Sequence, residues 1–222
     1  MTSQVFRDRL LAQLHVSSVE VPQHTTLDKL YAYYDLLMRW NAKINLTGLS
    51  LEDPTDETLD RIFTEPLAAA RYFPSSSSGG KRWFDFGSGG GSPAIPLKLA
   101  LGDVRLTMVE SRERKAAFLR EVVRILEISA TDVANVRFEG LVDANATSAQ
   151  AVTVRAVRID EALSETARKL LDSAGKLLLF QTTPSEAPLG FILSRGIPLL
   201  STNTSYLSIY SPAQSVPRGT NG

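Results

Sequence analysis

The chain contains no cysteine, which excludes disulfides, thiolate metal sites and cysteine nucleophiles together. Histidine is nearly absent, with only His15 and His24 in 222 residues. No apolar run approaches the roughly 18 residues of a membrane-spanning helix, and no signal-peptide core follows the charged start. These absences lead to the expectation of a cytoplasmic protein that uses neither membrane nor metal. Net charge is lacking too: 24 Lys+Arg stand against 24 Asp+Glu. Any contact with nucleic acid would therefore need a local basic patch.

What is present suffices for one well-buried core, since 43% of the residues are hydrophobic. Two low-complexity stretches divide the chain. Ser75–Gly80 reads as a flexible linker, and Pro212–Gly222 as a frayed tail. The expected organisation is a helical N-terminal extension over 1–74, the linker over 75–80, an α/β domain over 81–211 and the tail over 212–222. In the extension, apolar spacing predicts a helix over about 4–14 and a second from a Thr25 cap, with Asp28 completing the capping box, to Trp40-Asn41. A third helix is expected over 60–71, with Pro66 as a kink or stop.

Beyond the linker the period changes. Strands are expected at 82–86, 104–109, 136–139, 151–154 and 176–180, with a closing hairpin near Asn203. Helices are expected over 93–101, from a Ser111 cap to Glu127, and over 161–171. The helix after Ser111 would bury Phe118, Leu119, Val122, Ile125 and Leu126. Strands alternating with crossover helices predict a mostly parallel, seven-stranded, Rossmann-like sheet with helices on both faces.

The chemistry centres on Asp85-Phe86-Gly87-Ser88-Gly89-Gly90-Gly91. A strand ending in a glycine loop that feeds a helix is expected to present unpaired backbone N–H groups at the sheet edge. Glu110 ends the next strand, 23 residues beyond Gly87, near the spacing at which a carboxylate receives ribose hydroxyls. Dinucleotide sites require a third glycine where Ser92 stands. An acidic Asp85 ahead of the loop suits a cationic ligand better than a pyrophosphate. S-adenosylmethionine, with its ammonium and sulfonium, meets that condition.

Two segments carry a family resemblance. Tyr34 to Thr47, containing Trp40-Asn41-Ala42-Lys43-Ile44-Asn45-Leu46-Thr47, is similar to the W-N-x-x-x-N-L-T signature of the glucose-inhibited division protein B family, bacterial small-subunit ribosomal RNA guanine-N7 methyltransferases. Phe84 to Leu97 resembles that family's cofactor loop, both prolines included. Glu110-Ser111 with Arg114-Lys115 matches its next segment, and Arg155-Ala156-Val157 its S-R-A motif. The resemblance implies that Asp85, Gly87, Ser88, Gly89 and Gly91 surround the methionine part of S-adenosylmethionine. Glu110 and Ser111 would hold the ribose, with Asp143 beside the adenine. It further implies that Arg155 acts at the target base and that Arg114 and Lys115 contact the ribosomal RNA or small ribosomal subunit; the chain's own distribution of cations nominates Arg120, Lys43, Arg112 and Arg124 beside them. A monomer is expected.

This chain departs from the family pattern at Arg61-Ile62-Phe63-Thr64-Glu65-Pro66, where a His and an Asp-Ser pair are usual. It departs again at Leu141, Val154 and Gln181-Thr182. Three alternatives stand beside the RNA enzyme: a methyltransferase for a small molecule, a cofactor-binding module without RNA catalysis, and an NAD-dependent oxidoreductase. For Arg155 a surface salt bridge is the competing role. For Asn41 and Thr47 it is tying a loop to the core.

Overall fold

The computed structural model describes residues 1–74, 82–141, 148–201 and 204–213. The Ser/Gly linker, Asp143, Asn203 and the tail beyond Ala213 lie outside the described residues.

Seven strands form one sheet in the order β3-β2-β1-β4-β5-β7-β6. They are β1 (Arg82–Phe86), β2 (Arg105–Val109), β3 (Thr131–Ala134), β4 (Ala149–Arg155), β5 (Leu171–Gln181), β6 (Phe191–Pro198) and β7 (Tyr206–Pro212). The first five pair in parallel, while β7 runs antiparallel to both β5 and β6. Strand order reverses between β1 and β4. A crevice opens at such a switch point beyond the carboxyl ends of the strands.

Helices α1 (Ser3–Val16) and α2 (His24–Ile44), with α5 (Ala94–Leu101) and α6 (Glu113–Ile125), contribute to one core on one face of the sheet. Helix α7 (Glu161–Leu170) packs into a second core on the other face. The N-terminal extension shares its core with the sheet. Phe6 meets Tyr31, Tyr34 and Phe63 within 5.6 Å, and Trp40 packs against Phe118 at 5.7 Å, docking α2 on α6. Buried aromatic pairs of this kind add about 0.5–1.5 kcal/mol each beyond the area they cover.

Several local expectations shift for physical reasons. Thr25 does not cap α2: Gln23 takes that place, its carbonyl accepting the Thr26 and Leu27 N–H groups, and the helix runs on to Ile44. Ser111 does not cap α6, which starts at Glu113 after Arg112 and ends at Ile125. The Arg112 N–H is taken instead by the Glu110 carboxylate at 2.8 Å. Ile125 is exposed rather than packed. The third strand lies earlier than 136–139. Left-handed Glu127 and Ala130 (φ 49° and 50°) turn the chain sharply after α6, so pairing begins at Thr131. Phe138 instead stacks on Phe86 from a 3₁₀ turn, Phe138–Leu141. Strand β5 starts at Leu171, directly after α7, with a register irregularity against β4, and the closing hairpin starts at Phe191. Pro212 belongs to β7 and not to a frayed tail.

The expected helix over 60–71 is a composite: α3 (Asp56–Leu59), a π turn (Asp60–Thr64), α4 (Glu65–Ala69) and a 3₁₀ turn (Ala70–Tyr72). Pro66 does not stop it, since α4 runs through the proline to Ala69. Proline has no N–H to offer the carbonyl four residues earlier, that of Ile62. In the π register the Glu65 N–H goes to Asp60, so the Arg61 carbonyl would look to residue 66, again the proline. Two adjacent carbonyls are thus released from the helix, and both face the switch point.

Candidate functional site

Strand β1 ends at the crevice with Asp85 buried at 1% exposure. Thr153, level with it on β4, donates its hydroxyl to Asp85 Oδ1 at 2.5 Å and accepts from the Trp83 indole N–H at 2.7 Å. Burial pushes the Asp85 carboxyl up to about 6, against the Thr153 hydrogen bond and the nearby Arg155 charge, which both lower it. A carboxylate so desolvated is set to receive a cation.

The glycine loop turns in left-handed conformations at Gly87 (φ 70°), Gly89 (φ 51°) and Gly91 (φ 91°). At Gly87 a Cβ would also overlap Cγ2 of Val157, so glycine is required there twice over. Most of the N–H groups expected to be unpaired are engaged. Gly87 and Ser88 donate to the Val109 carbonyl, Gly91 to Ser88 and Gly89 to Glu110 Oε2 at 3.0 Å. With four of its donors spent internally, the loop is a poor cradle for a pyrophosphate. That disfavours a dinucleotide. Glu110, nearly buried, bridges Gly89 and Arg112 and so braces β2 against the loop.

The extension supplies the opposite wall. The Tyr33 hydroxyl donates to the Gly90 carbonyl at 2.6 Å, and burial pushes its phenol well above the usual range. Asn41 caps the end of α2: its Oδ1 accepts the Leu46 N–H at 2.6 Å and the Thr47 N–H at 2.9 Å, while Thr47 Oγ1 accepts from Leu49 N–H. Asn45, left-handed at φ 47°, makes the turn. The W-N-x-x-x-N-L-T segment therefore shapes a loop, and that loop lines a cleft of about 360 Å³ together with Tyr33, Gly87, Ser88, Gly89, Ser92, Lys115 and Arg155.

Arg155 ends β4. It makes no surface salt bridge: its guanidinium, 12% exposed, pairs with Glu65 (5%) at 2.6 Å and lies 4.7 Å over the Phe180 ring. It also donates to the Arg61 carbonyl and, at 3.3 Å, to Ser92 Oγ. Ser92 Oγ in turn donates to the Ile62 carbonyl at 3.0 Å. The two carbonyls released by Pro66 are thus satisfied from the site. A second cleft, of about 370 Å³, lies beyond Arg155 toward the end of β5 and is lined by Glu65, Phe180, Gln181, Thr182 and Thr183. Arg61, Arg155 and Ala156 border both clefts.

The expected residues separate accordingly. The structure gathers Asp85, Gly87, Ser88, Gly89, Gly91, Glu110, Lys115 and Arg155 at the switch point. Ser111, Arg112, Arg114, Arg120, Arg124 and Lys43 are exposed, and Arg124 is engaged by Glu121 at 2.8 Å. Asp143 lies outside the described residues. Sequence reasoning missed Tyr33, Thr153, Glu65 and Ser92. Tyr33 and Thr153 look like ordinary core residues, Glu65 counted only as part of a segment that departs from the family pattern, and Ser92 only as a missing glycine. Among the described residues no cluster of His, Asp and Glu could hold a metal ion, and no helix is long and apolar enough to cross a membrane.

Solved structures share the fold. A Corynebacterium glutamicum protein superposes over 93% of this chain and 98% of its own with TM-score 0.58 at 14% identity. MtNAS, solved in complex with MTA and tNA, superposes over 96% and 76% with TM-score 0.54 at 14% identity. Sequence relatives reach further. Ribosomal RNA small subunit methyltransferase G of Nitrobacter hamburgensis is 36% identical over 170 residues, 72% of this chain and 60% of that protein. The proteins of that name from Xylella fastidiosa (strain 9a5c) and Gluconobacter oxydans are 39% and 38% identical, over 68% and 74% of this chain and 69% and 79% of theirs. The first of these relatives is therefore spanned over less than two thirds of its length. A family model described as rRNA small subunit methyltransferase G matches residues 26–189, from α2 through the end of β5 and beyond, and the chain belongs to that family, GidB.

Proposed function

We propose that this protein methylates N7 of a guanosine in small-subunit ribosomal RNA, with S-adenosylmethionine as donor, in the cytoplasm and as a monomer. The observation that carries the reading is the Asp85 carboxylate, buried at the end of β1 beside a glycine loop with four of its N–H groups already engaged. That combination fits a cation with a narrow profile and does not fit a pyrophosphate.

In this reading Asp85 receives the donor's ammonium, the backbone at Gly87, Ser88, Gly89 and Gly91 borders its methionine part, and Glu110 holds its ribose with Ser111 adjacent. When bound, the donor supplies a methyl group already activated on a sulfonium. Guanine N7 offers a lone pair and has no proton to lose, so the chain needs no general base, in keeping with its lack of cysteine and scarcity of histidine.

The residues then contribute alignment. Tyr33 holds the loop at Gly90, Glu110 holds it at Gly89, and Arg155 with Ser92 fixes the edge shared by the two clefts. Arg155 is held by Glu65 before any substrate arrives, so its part is to position that edge while keeping the local charge balanced. Lys115 at the first cleft, with Arg114, Lys43 and Arg120 outside it, supplies the cations for RNA.

Tritiated methyl transfer to small subunits from a strain lacking the native enzyme, followed by N7-specific strand scission, tests the proposal. Label in the small-subunit RNA with scission at one guanosine is expected. Calorimetric donor binding with no label in RNA would remove the RNA reading. Tight NAD binding with no binding of S-adenosylmethionine would remove the donor.

A further inference from the structure

Arg61 combines four features that no other residue at the switch point shares. It sits in the π turn Asp60–Thr64, and such turns interrupt helices mainly where function needs a backbone group freed or a side chain re-aimed. Its carbonyl is pinned from the site side by the Arg155 guanidinium and the Ser92 hydroxyl. Its side chain, half-buried, borders both clefts, where they share Arg155 and Ala156. Among the described residues, no ion pair or side-chain hydrogen bond engages its guanidinium, whereas the Arg155 charge beside it is matched by Glu65.

A cation anchored by its main chain, open at its head and placed where two clefts meet is arranged for an external anion. Guanine itself is a poor candidate for that partner, because N7 must stay open to the methyl group. The ring also gains positive charge on reaction, which a second unmatched cation would oppose. Phosphate has neither objection and matches the guanidinium fork. We infer that Arg61 is a substrate-binding residue that grips a backbone phosphate of the RNA strand carrying the target base, at the seam between the two clefts. This rests on the function proposed above and adds to it the contact that sets where the strand crosses the site.

The test uses the full chain, wild type and the variants Arg61→Gln and Arg61→Lys, with small subunits lacking the modification as substrate and a transcript from the same RNA for binding. Neither substitution touches the carbonyl contacts of residue 61, and equal melting temperatures verify that the variants are folded. Arg61→Gln is expected to weaken RNA binding about tenfold. It should flatten the slope of log affinity against log salt by about 0.7, the increment for one phosphate on a single strand. Arg61→Lys keeps the slope, and calorimetric donor affinity stays within twofold for both. An unchanged slope in Arg61→Gln overturns the phosphate contact, even if KM for RNA rises. A parallel loss of donor affinity overturns it as well, by assigning Arg61 a structural role. If wild type places no label in RNA, the underlying reading has failed and the inference falls with it. Label by wild type with an indifferent Arg61→Gln defeats the inference alone.

Discussion

The two flanks of the switch point are built in opposite ways. On the β1–β2 flank, the loop from Gly87 to Gly91 is contiguous, is tied down by hydrogen bonds from its own backbone N–H groups and lies beside the buried carboxylates of Asp85 and Glu110. On the β4–β5 flank, the working groups come from segments 90 or more residues apart, as in the Arg155–Glu65 pair, and they are charged. The first flank depends on backbone conformation. The second depends on matched charges held out of water, which are costly to unmatch.

The sharpest way to break the second flank alone is Glu65→Gln. It leaves the buried Arg155 charge without its partner, and denaturant unfolding should show a loss of about 3–5 kcal/mol. Replacing both Glu65 and Arg155 by Met should recover most of that stability. If the single substitution were silent, Arg155 would not be a buried ion-pair member. The first flank breaks at Gly87→Ala, where a left-handed φ and the Val157 side chain both resist a Cβ. Strain of about 1–3 kcal/mol is expected, with donor binding impaired. Adding Val157→Ala removes the overlap but not the φ penalty, so calorimetry should find only partial rescue.

Proton linkage sharpens the comparison, because the first flank has a carboxyl raised by burial. Asp85, pushed up to about 6, favours the folded state while protonated. That contribution is complete below the ordinary carboxylate range and fades as pH rises through about 6. Donor affinity runs the other way, since the cation requires the ionised form. It should fall about tenfold per unit below that pH and approach constancy above it. Asp85→Asn should bind weakly with no such slope, and a flat wild-type profile would show that Asp85 does not meet the donor's ammonium.

Tyr33→Phe removes the tie between the extension and the loop, at a cost of about 0.5–1.5 kcal/mol. A several-fold rise in the donor's dissociation constant is expected, larger than any change in RNA affinity. Arg120→Ala is expected to change least. Its exposed side chain lies about 10 Å along α6 from Glu113 at 1.5 Å per residue. Filter binding should find RNA affinity lowered about twofold, whereas Lys115→Ala, at the cleft, should lower it more.

The loop flank was legible because its logic is local. Asp85, the glycines and Glu110 could be assigned from spacing, and the α/β alternation predicted the sheet around them. Boundaries moved where a tertiary partner supplied the cap, as the Glu110 carboxylate does for Arg112, or where left-handed residues such as Glu127 and Ala130 turned the chain early. The pairing of the loop's N–H groups could not be read from the glycines, because the Val109 carbonyl that takes two of them belongs to another strand.

The amino-acid order by itself determined the strand–loop–helix that makes the glycine turn, the carboxylate at its entrance, and the apolar periodicities that raise a sheet with helices on both faces. These are consequences of φ/ψ preference and of burial over a few residues. Only the tertiary structure decided which charges meet. Whether Arg155 faces solvent or Glu65, whether Pro66 stops a helix or frees carbonyls for the site, and whether Arg61 is left with an open guanidinium depend on bringing the extension onto the end of β4. Burial strengthens and selects electrostatic pairs that sequence distance does not encode.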